Sequence, residues 1–427
     1  MAKRNVVKRF VKPKYKPTKN DLICLFRLEP AKGVSIREAA ANCALESSVG
    51  TWTKLETERK YVAKLGAKVF SIKGNMIKVA YPSELFEGGN IPNVLSSIAG
   101  NVFGMKIAKN LRLEDIQFPQ KLLKTFRGPK YGVDGLRRMM KVKNRPFVGT
   151  IVKPKLGLKT KHHAQVAYDA WSGGCDFVKD DENLANQSFN KFEARLAKTL
   201  EMADKAESET GEKKAYLVNV TAESMEMLRR AQMVQDQGGK YVMIDIVTAG
   251  FAAVQTLRNA NFRMAIHGHR AMHAAFTRSP RHGMSMMALA DFARLAGIDT
   301  LHIGTGIGKL EGKIGEIEAL QEEIEKDEVK ETAHRLSQDW GNIKSTMAVS
   351  SGGLHPGHIP FLMKHLGNDV VLQFGGGIHG HPKGTKEGAM AARQAVNSVL
   401  NGVGIGEYAK FHPQLKKAIG LWGYAKV

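Results

Sequence analysis

Short runs of apolar and β-branched residues alternate with longer amphipathic segments after about residue 145, and this alternation restricts the fold more than any other feature. Eight such runs can be counted, at 147–153, 175–179, 215–220, 241–246, 262–267, 299–303, 345–349 and 370–374. Eight β-then-α units in succession predict an α/β fold, a (β/α)8 TIM barrel of parallel strands. A doubly wound open sheet is the alternative.

The preceding residues have a different pattern, typical of a smaller α+β domain of the ferredoxin-like type. DLICLFRLEP predicts a strand, VSIREAAANCALESS a helix, and AKVFSIKGNMIKVAYP a hairpin that turns at Lys73-Gly74-Asn75. IPNVLSSIAGNVFG predicts a short helix. We therefore expect a basic, flexible arm over 1–20, an α+β domain over 21–127 and the barrel over 128–427.

The formal net charge is +23, and eight of the first twenty residues are Lys or Arg with no acid among them. Nucleic-acid binding would explain this excess. However, the sequence has no helix-turn-helix, zinc-finger or RNA-recognition signature. A solvated basic surface, or attraction of small phosphorylated substrates, explains the charge as well. We therefore expect that nucleic acid is not the main partner.

Several features indicate the cellular location. No apolar run approaches the roughly 18 residues that a membrane helix needs, and the basic N-terminal segment lacks the apolar core of a secretory signal. The three cysteines lie far apart, without metal-ligand spacing. We expect a reduced, cytoplasmic protein with no membrane partner.

If the fold is a barrel, functional residues should lie at or just after the end of each strand. Active sites of this fold lie at the carboxyl ends of the strands. The segments found there are KPKLG, KDDENL, NVTAE, DIVTAG, HGHRAMH, HIGTGIGKLEG, SSGG and FGGG. Most are rich in Lys, Asp, Glu, His, Arg and Gly, so the sequence predicts a functional site at that end.

FVKDDENL, at the end of the second run, suggests a metal site. Asp181 and Glu182 could hold Mg²⁺, which prefers oxygen ligands. Lys179 opposes a cation only while it remains an ammonium. If it is desolvated and neutral it can react with CO2, and the resulting carbamate would be a third anionic ligand. A surface salt-bridge cluster is the alternative for this motif.

Two glycine-rich segments follow the seventh and eighth runs, where this barrel frequently binds phosphate through backbone N–H groups. They contain Ser351, Gly352 and Gly353 after the seventh run, and Gly375 and Gly376 after the eighth. Each could be only a tight turn. The presence of both at the expected positions predicts a phosphate site.

Basic and imidazole side chains close the fifth and sixth runs. Arg270 and His302 could bind a second phosphate, and His269 could transfer protons. A histidine at a strand end is otherwise often structural.

Further lysines follow the first and sixth runs. Lys153 and Lys155 flank Pro154, whose ring stiffens the turn, although both could be solvated surface lysines. Lys309 lies in GTGIGKLEG, where alternating glycines suit a loop that opens and closes. Two anion sites with Mg²⁺ between them suit a bisphosphorylated sugar.

With these residues assembled, the sequence resembles the large subunit of ribulose-1,5-bisphosphate carboxylase/oxygenase (RuBisCO) over nearly its whole length after the basic arm. The motifs KPKLGL, GGCDFVKDDEN, HGHRAMH, HIGTGIGKLEG, SGG and LQFGGG occur in family order. In the N-terminal domain, the segments ALESSVGTWT and SIAGNVFGM also match the family. The segments ETGEKKAYLVNVTAE and HRAMHAAFTR are most similar in sequence to the archaeal-type form III branch.

The resemblance implies carboxylation of ribulose 1,5-bisphosphate by CO2, with O2 as the competing substrate. It implies that Lys179 is the carbamylated lysine and that Asp181 and Glu182 complete the Mg²⁺ ligands. Lys153 would act as acid and base, Lys155 would support the metal side, and His269 would assist hydration and proton transfer. Lys309 would close over the substrate and stabilise the new carboxylate.

The resemblance also implies the substrate contacts. Arg270, His302 and Ser351 would bind one phosphate, and the glycines of both loops the other: Gly352 and Gly353 with Gly375 and Gly376. Residues from the N-terminal domain of a second chain would complete the site, so that a homodimer, with no small subunit, is the smallest active unit. In this chain they are Glu46, Thr51, Trp52 and Asn101.

The sequence departs from the family at Ile151, Ile303 and Val49, where relatives often have Thr, Ser and Thr. These positions bear on the preference between CO2 and O2. Form III relatives are linked to salvage of nucleotide ribose from AMP, which the resemblance extends to this chain. The rival is a RuBisCO-like enolase or isomerase that does not carboxylate. The presence of Lys309 and Asn101 argues against it.

Overall fold

The computed structural model of the protein describes residues 3–51, 53, 55–308 and 313–425. Its strands, in chain order, are β1 (Asp21–Pro30), β2 (Lys68–Lys73), β3 (Met76–Pro82), β4 (Ala108–Gln117), β5 (Phe147–Ile151), β6 (Phe177–Lys179), β7 (Ala215–Asn219), β8 (Tyr241–Asp245), β9 (Ala265–His269), β10 (Gly283–Met284), β11 (Thr300–His302), β12 (Glu328–Val329), β13 (Gln338–Asp339), β14 (Met347–Ser351) and β15 (Val370–Phe374).

The helices, in chain order, are α1 (Lys3–Phe10), α2 (Ile36–Glu46), α3 (Val62–Leu65), α4 (Ile91–Ile98), α5 (Gln120–Leu123), α6 (Gly132–Met140), α7 (Thr160–Ser172), α8 (Phe192–Thr210), α9 (Ser224–Asp236), α10 (Gly250–Asn259), α11 (Ala274–Thr277), α12 (Met286–Ala296), α13 (Ile314–Glu325), α14 (Ile359–Leu366), α15 (Gly376–His379), α16 (Thr385–Leu400), α17 (Ile405–Tyr408) and α18 (Pro413–Trp422). Four short 3₁₀ helices lie at Ser83–Leu85, Asn101–Gly104, Pro356–His358 and Ala409–Phe411. None of the helices in the described part of the chain is both long and apolar enough to cross a membrane.

The chain divides into two compact units, each built from several segments. The first unit comprises Met1–Gly128, Met272–Ala296 and Lys326–Lys344. The second comprises Pro129–Ala271, Gly297–Glu325 and Ser345–Val427. Two segments from the region expected to form the barrel domain therefore belong to the first unit.

The first unit contains the predicted ferredoxin-like arrangement. Strands β1 to β4 alternate with α2 and α4 as β-α-β-β-α-β, and the sheet has the order β4-β1-β3-β2 with antiparallel neighbours. The short strand β10 extends this sheet beside β4. The predicted hairpin pairs Lys73 with Met76 across its turn. The α+β fold of this region is confirmed.

The first twenty residues differ from the flexible arm that their charge suggested. Residues 3–10 form helix α1, and Val6 and Phe10 are buried. The backbone N–H of Lys12 then donates to the carbonyl of Val69 at 2.8 Å. Apolar side chains spaced among the lysines give this helix one face that can pack, and the net charge of the segment does not reveal that face.

The second unit is the predicted barrel. Its eight parallel strands close in the order β11-β14-β15-β5-β6-β7-β8-β9, which excludes the open doubly wound sheet. The interior at one end of the barrel is filled by large side chains that the apolar runs supply. They include Phe147, Phe177, Leu217, Tyr241 and Val371.

All eight apolar runs contain or overlap a barrel strand, but two strands lie further along than expected. β9 ends at His269 and β14 at Ser351. Polar residues at a strand's carboxyl end carry no apolar signal, so a pattern of hydrophobicity ends too early there. As a result these two side chains are held by strands rather than by loops.

Candidate active site

Lys179 is the last residue of β6, and its side chain is completely buried. Its Nζ donates to the carbonyl of Asp180 at 2.7 Å and to the sulfur of Met243 at 3.1 Å, whereas the carboxylate of Glu182 lies 4.0 Å away. Burial lowers the pKa of Lys179, although nearby carboxylates, with Glu182 first, act in the opposite direction. Desolvation therefore makes this ammonium easier to deprotonate than a lysine in water.

The adjacent Asp180 is a structural residue. It accepts hydrogen bonds from Tyr216 at 2.5 Å and from the backbone of Asn219 at 3.0 Å, and it pairs with Arg195 at 3.3 Å. Burial alone would raise the pKa of Asp180, but the charge of Arg195 and the hydrogen bond from His163 hold it well below its ordinary value. Its carboxylate is thus already engaged by the protein.

Asp181 points to a different set of partners. Lys153 Nζ donates to its Oδ2 at 2.8 Å, and the side chain of Asn183 donates to its Oδ1 at 3.0 Å. Burial raises the pKa of Asp181, but the hydrogen bonds from Lys153 and Asn183 outweigh this and lower it. The carboxylate is ionised next to Lys153, from the turn that follows the neighbouring strand β5.

The donor set fits a magnesium site only if Lys179 changes its charge. Among the described residues, no group of three or more His, Cys, Asp or Glu side chains is arranged to hold a metal ion. Asp181 and Glu182 supply two carboxylates, and the group beside them is the buried amine of Lys179. Conversion of that amine to an anion would complete a set of three oxygen donors.

A histidine cluster lies at the carboxyl ends of β9 and β11. Asp245 accepts from His269 Nδ1 at 3.0 Å, while His269 Nε2 lies 3.7 Å from Glu182. His302 Nε2 is 3.0 Å from His267 Nε2. Burial lowers the pKa of both His267 and His302 well below the ordinary value, so both rings are neutral.

Arg270 follows this cluster and is fixed by the residue directly after β11. Its guanidinium donates to the carbonyl of Ile303 at 3.1 Å. Burial lowers the pKa of Arg270 to about 10, which still leaves the side chain charged at neutral pH. A Cβ on Gly304 would lie 3.0 Å from the guanidinium, and the φ of Gly304 is +106°, so glycine is required beside it.

The loops after β11, β14 and β15 approach one another through glycines. A Cβ on Gly308 would lie 2.7 Å from the carbonyl of Gly352. A Cβ on Gly375 would lie 3.2 Å from Cε of Lys153, whereas one on Gly376 would meet nothing within 4 Å. The backbone of this turn is therefore open on one side and bordered by a lysine on the other, as an anion site requires.

Two family models match the sequence, one over the predicted N-terminal domain and one over the predicted barrel domain. The model described as ribulose bisphosphate carboxylase large chain, N-terminal domain, matches residues 9–122, and the model for the catalytic domain of the same chain matches residues 132–422. The chain belongs to the RuBisCO large-chain family.

Relatives of similar length and fold support this assignment. The ribulose bisphosphate carboxylase of Methanocaldococcus jannaschii is 49% identical over 425 residues, which is 97% of this chain and 99% of that protein. The dimeric archaeal Rubisco from Hyperthermus butylicus is 46% identical with a TM-score of 0.93, covering 98% of this chain and 100% of that chain. The octameric Rubisco from Pyrococcus horikoshii OT3 is 45% identical with a TM-score of 0.91, covering 99% and 98%. The predicted resemblance to archaeal RuBisCO is confirmed, and the chain is an enzyme of this family.

Within this RuBisCO fold, the second unit brings together most of the residues that the sequence singled out. Lys153 contacts Asp181, Glu182 lies between Lys179 and His269, and Arg270 reaches the strand that carries His302. Lys155 is exposed in the turn after β5. Lys309 lies outside the described residues.

The first unit carries the residues that the sequence resemblance assigned, as an expectation, to the site of a partner chain. Asn101 Nδ2 donates to Glu46 Oε1 at 3.4 Å, so these two side chains lie together. Thr51 is partly exposed. Trp52 lies outside the described residues.

Sequence reasoning assigned no role to Asp245 or His267. Asp245 holds the Nδ1 side of His269, and His267 contacts His302 while its own Nδ1 lies 2.9 Å from Thr300 Oγ1. Both residues stood in segments recognised as strand ends, DIVTAG and HGHRAMH. The signal was present, but only the closed barrel shows which side chains meet.

Proposed function

We propose that this chain is a ribulose-bisphosphate carboxylase that enolises ribulose 1,5-bisphosphate and adds CO2 to it, giving 3-phosphoglycerate, with O2 as a competing substrate. The observation that carries the proposal is the completely buried Lys179 amine beside the Asp181 and Glu182 carboxylates. Burial makes the charged form of this amine energetically unfavourable, and reaction with CO2 would convert it to another form.

That alternative is a carbamate. The neutral Lys179 amine attacks CO2, a C–N bond forms, and a proton leaves. Asp181, Glu182 and the carbamate would then hold Mg²⁺. When bound, Mg²⁺ would stabilise the negative charge that develops on the substrate oxygens.

The surrounding groups would move the protons. Lys153 is held by Asp181 at 2.8 Å and would act as acid and base, including the final protonation at C2. The Lys179 carbamate, or a group that it orients, would take the C3 proton. Since His269 is oriented by Asp245, its Nε2 faces the Glu182 side and would assist hydration. Lys155 would support the metal side.

The two phosphates of the substrate would bind on opposite sides of these groups. Arg270, His302 and Ser351 would bind one, with Arg270 kept charged and aimed by its bond to Ile303. The glycine-rich turns would bind the other through backbone N–H groups, at Gly352, Gly353, Gly375 and Gly376. Lys309 would close over the bound sugar and stabilise the new carboxylate.

The active unit would be a homodimer or a larger assembly of dimers, without a small subunit. Its sites would be shared between chains, with Glu46, Thr51, Trp52 and Asn101 reaching the partner's barrel. The relatives described above as dimeric and octameric are consistent with dimer-based assembly. We further propose a cytoplasmic enzyme of nucleotide salvage that processes ribose from AMP.

A radiolabelled-bicarbonate assay with Mg²⁺ and ribulose 1,5-bisphosphate tests the activity. We expect acid-stable label in 3-phosphoglycerate, and its absence at saturating substrate rejects carboxylation. Exchange of the C3 proton with solvent is measured in parallel. Exchange without fixation would indicate a RuBisCO-like enolase instead.

The Lys309→Ala variant sharpens the division of roles. We expect it to retain C3 proton exchange while fixing little CO2, because the residue acts after enolisation. Loss of both reactions would contradict the role assigned to Lys309.

A further inference from the structure

His379 is the last residue of helix α15, directly after the Gly375-Gly376 turn, and the sequence assigned it no function. Its Nε2 lies 2.9 Å from the carbonyl of Ile151 and 2.9 Å from Oγ1 of Thr150. Its Nδ1 lies 3.0 Å from Oγ1 of Thr385. Both nitrogens of one ring thus engage side-chain or backbone groups from separate segments of the barrel.

The partners determine where the proton lies. A carbonyl only accepts, so the contact with Ile151 requires a hydrogen on Nε2. Nδ1 is then bare and accepts from the Thr385 hydroxyl, while the Thr150 hydroxyl donates to the carbonyl of Phe374 at 2.9 Å. Burial, supported by the nearby positive charge of Lys153, lowers the pKa of His379 to about 4, so the ring is neutral, as this arrangement requires.

The ring joins two strands that carry parts of the site. β15 pairs with β5 as far as Phe374 and Thr150, their last and second-last residues. One residue further, Ile151 has a bond to His379, which extends the connection between the strands. Ile151 lies two residues before Lys153, and the Lys153 side chain passes the Gly375 backbone, where a Cβ would lie 3.2 Å from its Cε.

We propose that His379 is a positioning residue, which holds the end of β5 against the Gly375 turn and thereby places the Lys153 amine for proton transfer. The inference rests on the proposed function of Lys153. A misplacement of about 1 Å can cost on the order of 100-fold in rate. His379 acts through the backbone, so its loss should affect the rate constant more than substrate binding.

Two substitutions separate hydrogen bonding from packing. His379→Leu introduces an apolar side chain of similar size that can make neither hydrogen bond. We expect its kcat to fall roughly 10- to 100-fold, while its KM for ribulose 1,5-bisphosphate changes less than about 3-fold. His379→Gln retains an N–H that reaches the Ile151 carbonyl, so we expect kcat to return to within about 3-fold of the wild type.

His381 supplies the matched control. It is buried two residues further along, its Nε2 lies 3.1 Å from the carbonyl of Gln414, and its Nδ1 accepts from the backbone of Lys383 at 3.2 Å. His381→Gln therefore perturbs a similar ring facing α18. We expect it to change the urea unfolding midpoint at most, with kcat per folded enzyme within about 2-fold.

Several results would overturn the inference. Wild-type kcat in His379→Leu would do so, and so would equal losses in the Leu and Gln variants, because packing alone would then explain them. If His379→Leu does not fold, Thr385→Val replaces it: we expect a loss of roughly 3- to 10-fold in kcat, and no loss contradicts the proposal.

One measurement is independent of the reaction. Nitrogen-15 shifts of histidine-labelled enzyme, with His379→Gln to assign the signal, report the tautomer directly. A hydrogen on Nδ1 rather than Nε2 would overturn the positioning role even in an active enzyme. An inactive wild type that shows the Nε2–H tautomer would instead reject the proposed function and leave the His379 geometry supported.

Discussion

Two completely buried lysines lie at opposite ends of the same barrel, and their surroundings differ. Lys214, just before β7, donates to Glu212 at 3.0 Å and to the carbonyl of Cys175 at 3.0 Å. Arg393 shares the Glu212 carboxylate at 2.8 Å. Lys179, at the carboxyl end of β6, instead contacts a carbonyl and a thioether, with a carboxylate 4.0 Å away.

Asp176, also at the amino end, is paired in a similar way to Lys214. Buried Asp176 accepts two bonds from Arg145, at 2.7 and 2.8 Å, and one from the backbone of Val148 at 2.9 Å. The charges of Lys214 and Asp176 are thus compensated at close range, which stabilises the fold. At the carboxyl end, the desolvated Lys179 amine has its ion-pair partner Glu182 at the longer distance of 4.0 Å. A buried lysine with a carboxylate in direct contact stabilises the fold, whereas a buried lysine with a more distant carboxylate is a candidate for chemistry.

The largest effect is expected for Lys179→Met. It removes the reactive amine but keeps an apolar side chain, so activity should fall by at least about 1,000-fold while the urea midpoint stays equal or rises. Both quantities are measured on the same preparation. Retained turnover would refute the carbamate role, and a strongly destabilised variant would show that Lys179 is structural after all.

The corresponding change at the other end is Lys214→Met. It leaves Glu212 with one cationic partner fewer and the Cys175 carbonyl without its donor, so we expect a loss of about 1–3 kcal/mol in the free energy of unfolding. Carboxylation per folded molecule should remain within about 2-fold. If stability were unchanged, the contrast between the two ends would not hold.

A smaller effect is expected for Gly375→Ala. The added methyl group would lie 3.2 Å from Cε of Lys153 and displace it, so kcat/KM should fall roughly 10-fold. Gly420→Ala is the control, because a Cβ at this exposed helical position meets nothing within 4 Å. Equal activity in both variants would argue that Lys153 does not depend on this turn.

The smallest effect on activity is expected at Glu325, an acid whose two hydrogen-bond donors are both neutral. Glu325 accepts from the backbone of Ala348 at 3.0 Å and from Gln321 at 3.1 Å, and burial raises its pKa to about 8. Folding favours the neutral form of the Glu325 carboxyl group. The stability that this group contributes is complete below its unfolded pKa near 4.5 and is lost as the pH rises through its folded pKa of about 8.

Glu325→Gln removes that titration. We expect its unfolding free energy to lack the decline between pH 5 and 8, and to exceed that of the wild type by roughly 3–5 kcal/mol at pH 9. Urea unfolding at several pH values measures this. Parallel curves for the two proteins would show that Glu325 is ionised in the folded state.

Much of the site could be predicted because barrel geometry gathers the strand ends. Lys179, Asp181 and Glu182 are adjacent in sequence, and His269 and Arg270 close one strand, so their proximity needed only the correct fold. The roles within the acidic segment could not be predicted. Asp180 is engaged by Arg195 and Tyr216, which lie 15 and 36 residues away along the chain.

The sequence by itself determined that the chain forms eight β-then-α units, and that reactive residues stand at one end of them, because hydrophobic periodicity and local motifs are properties of neighbouring residues. The tertiary structure alone decided that α1 packs rather than extends, that Lys179 is completely desolvated, and that His379 meets Ile151 across 228 residues of chain. Such contacts exist only after the barrel closes, since desolvation and ring tautomers depend on groups that closure brings together.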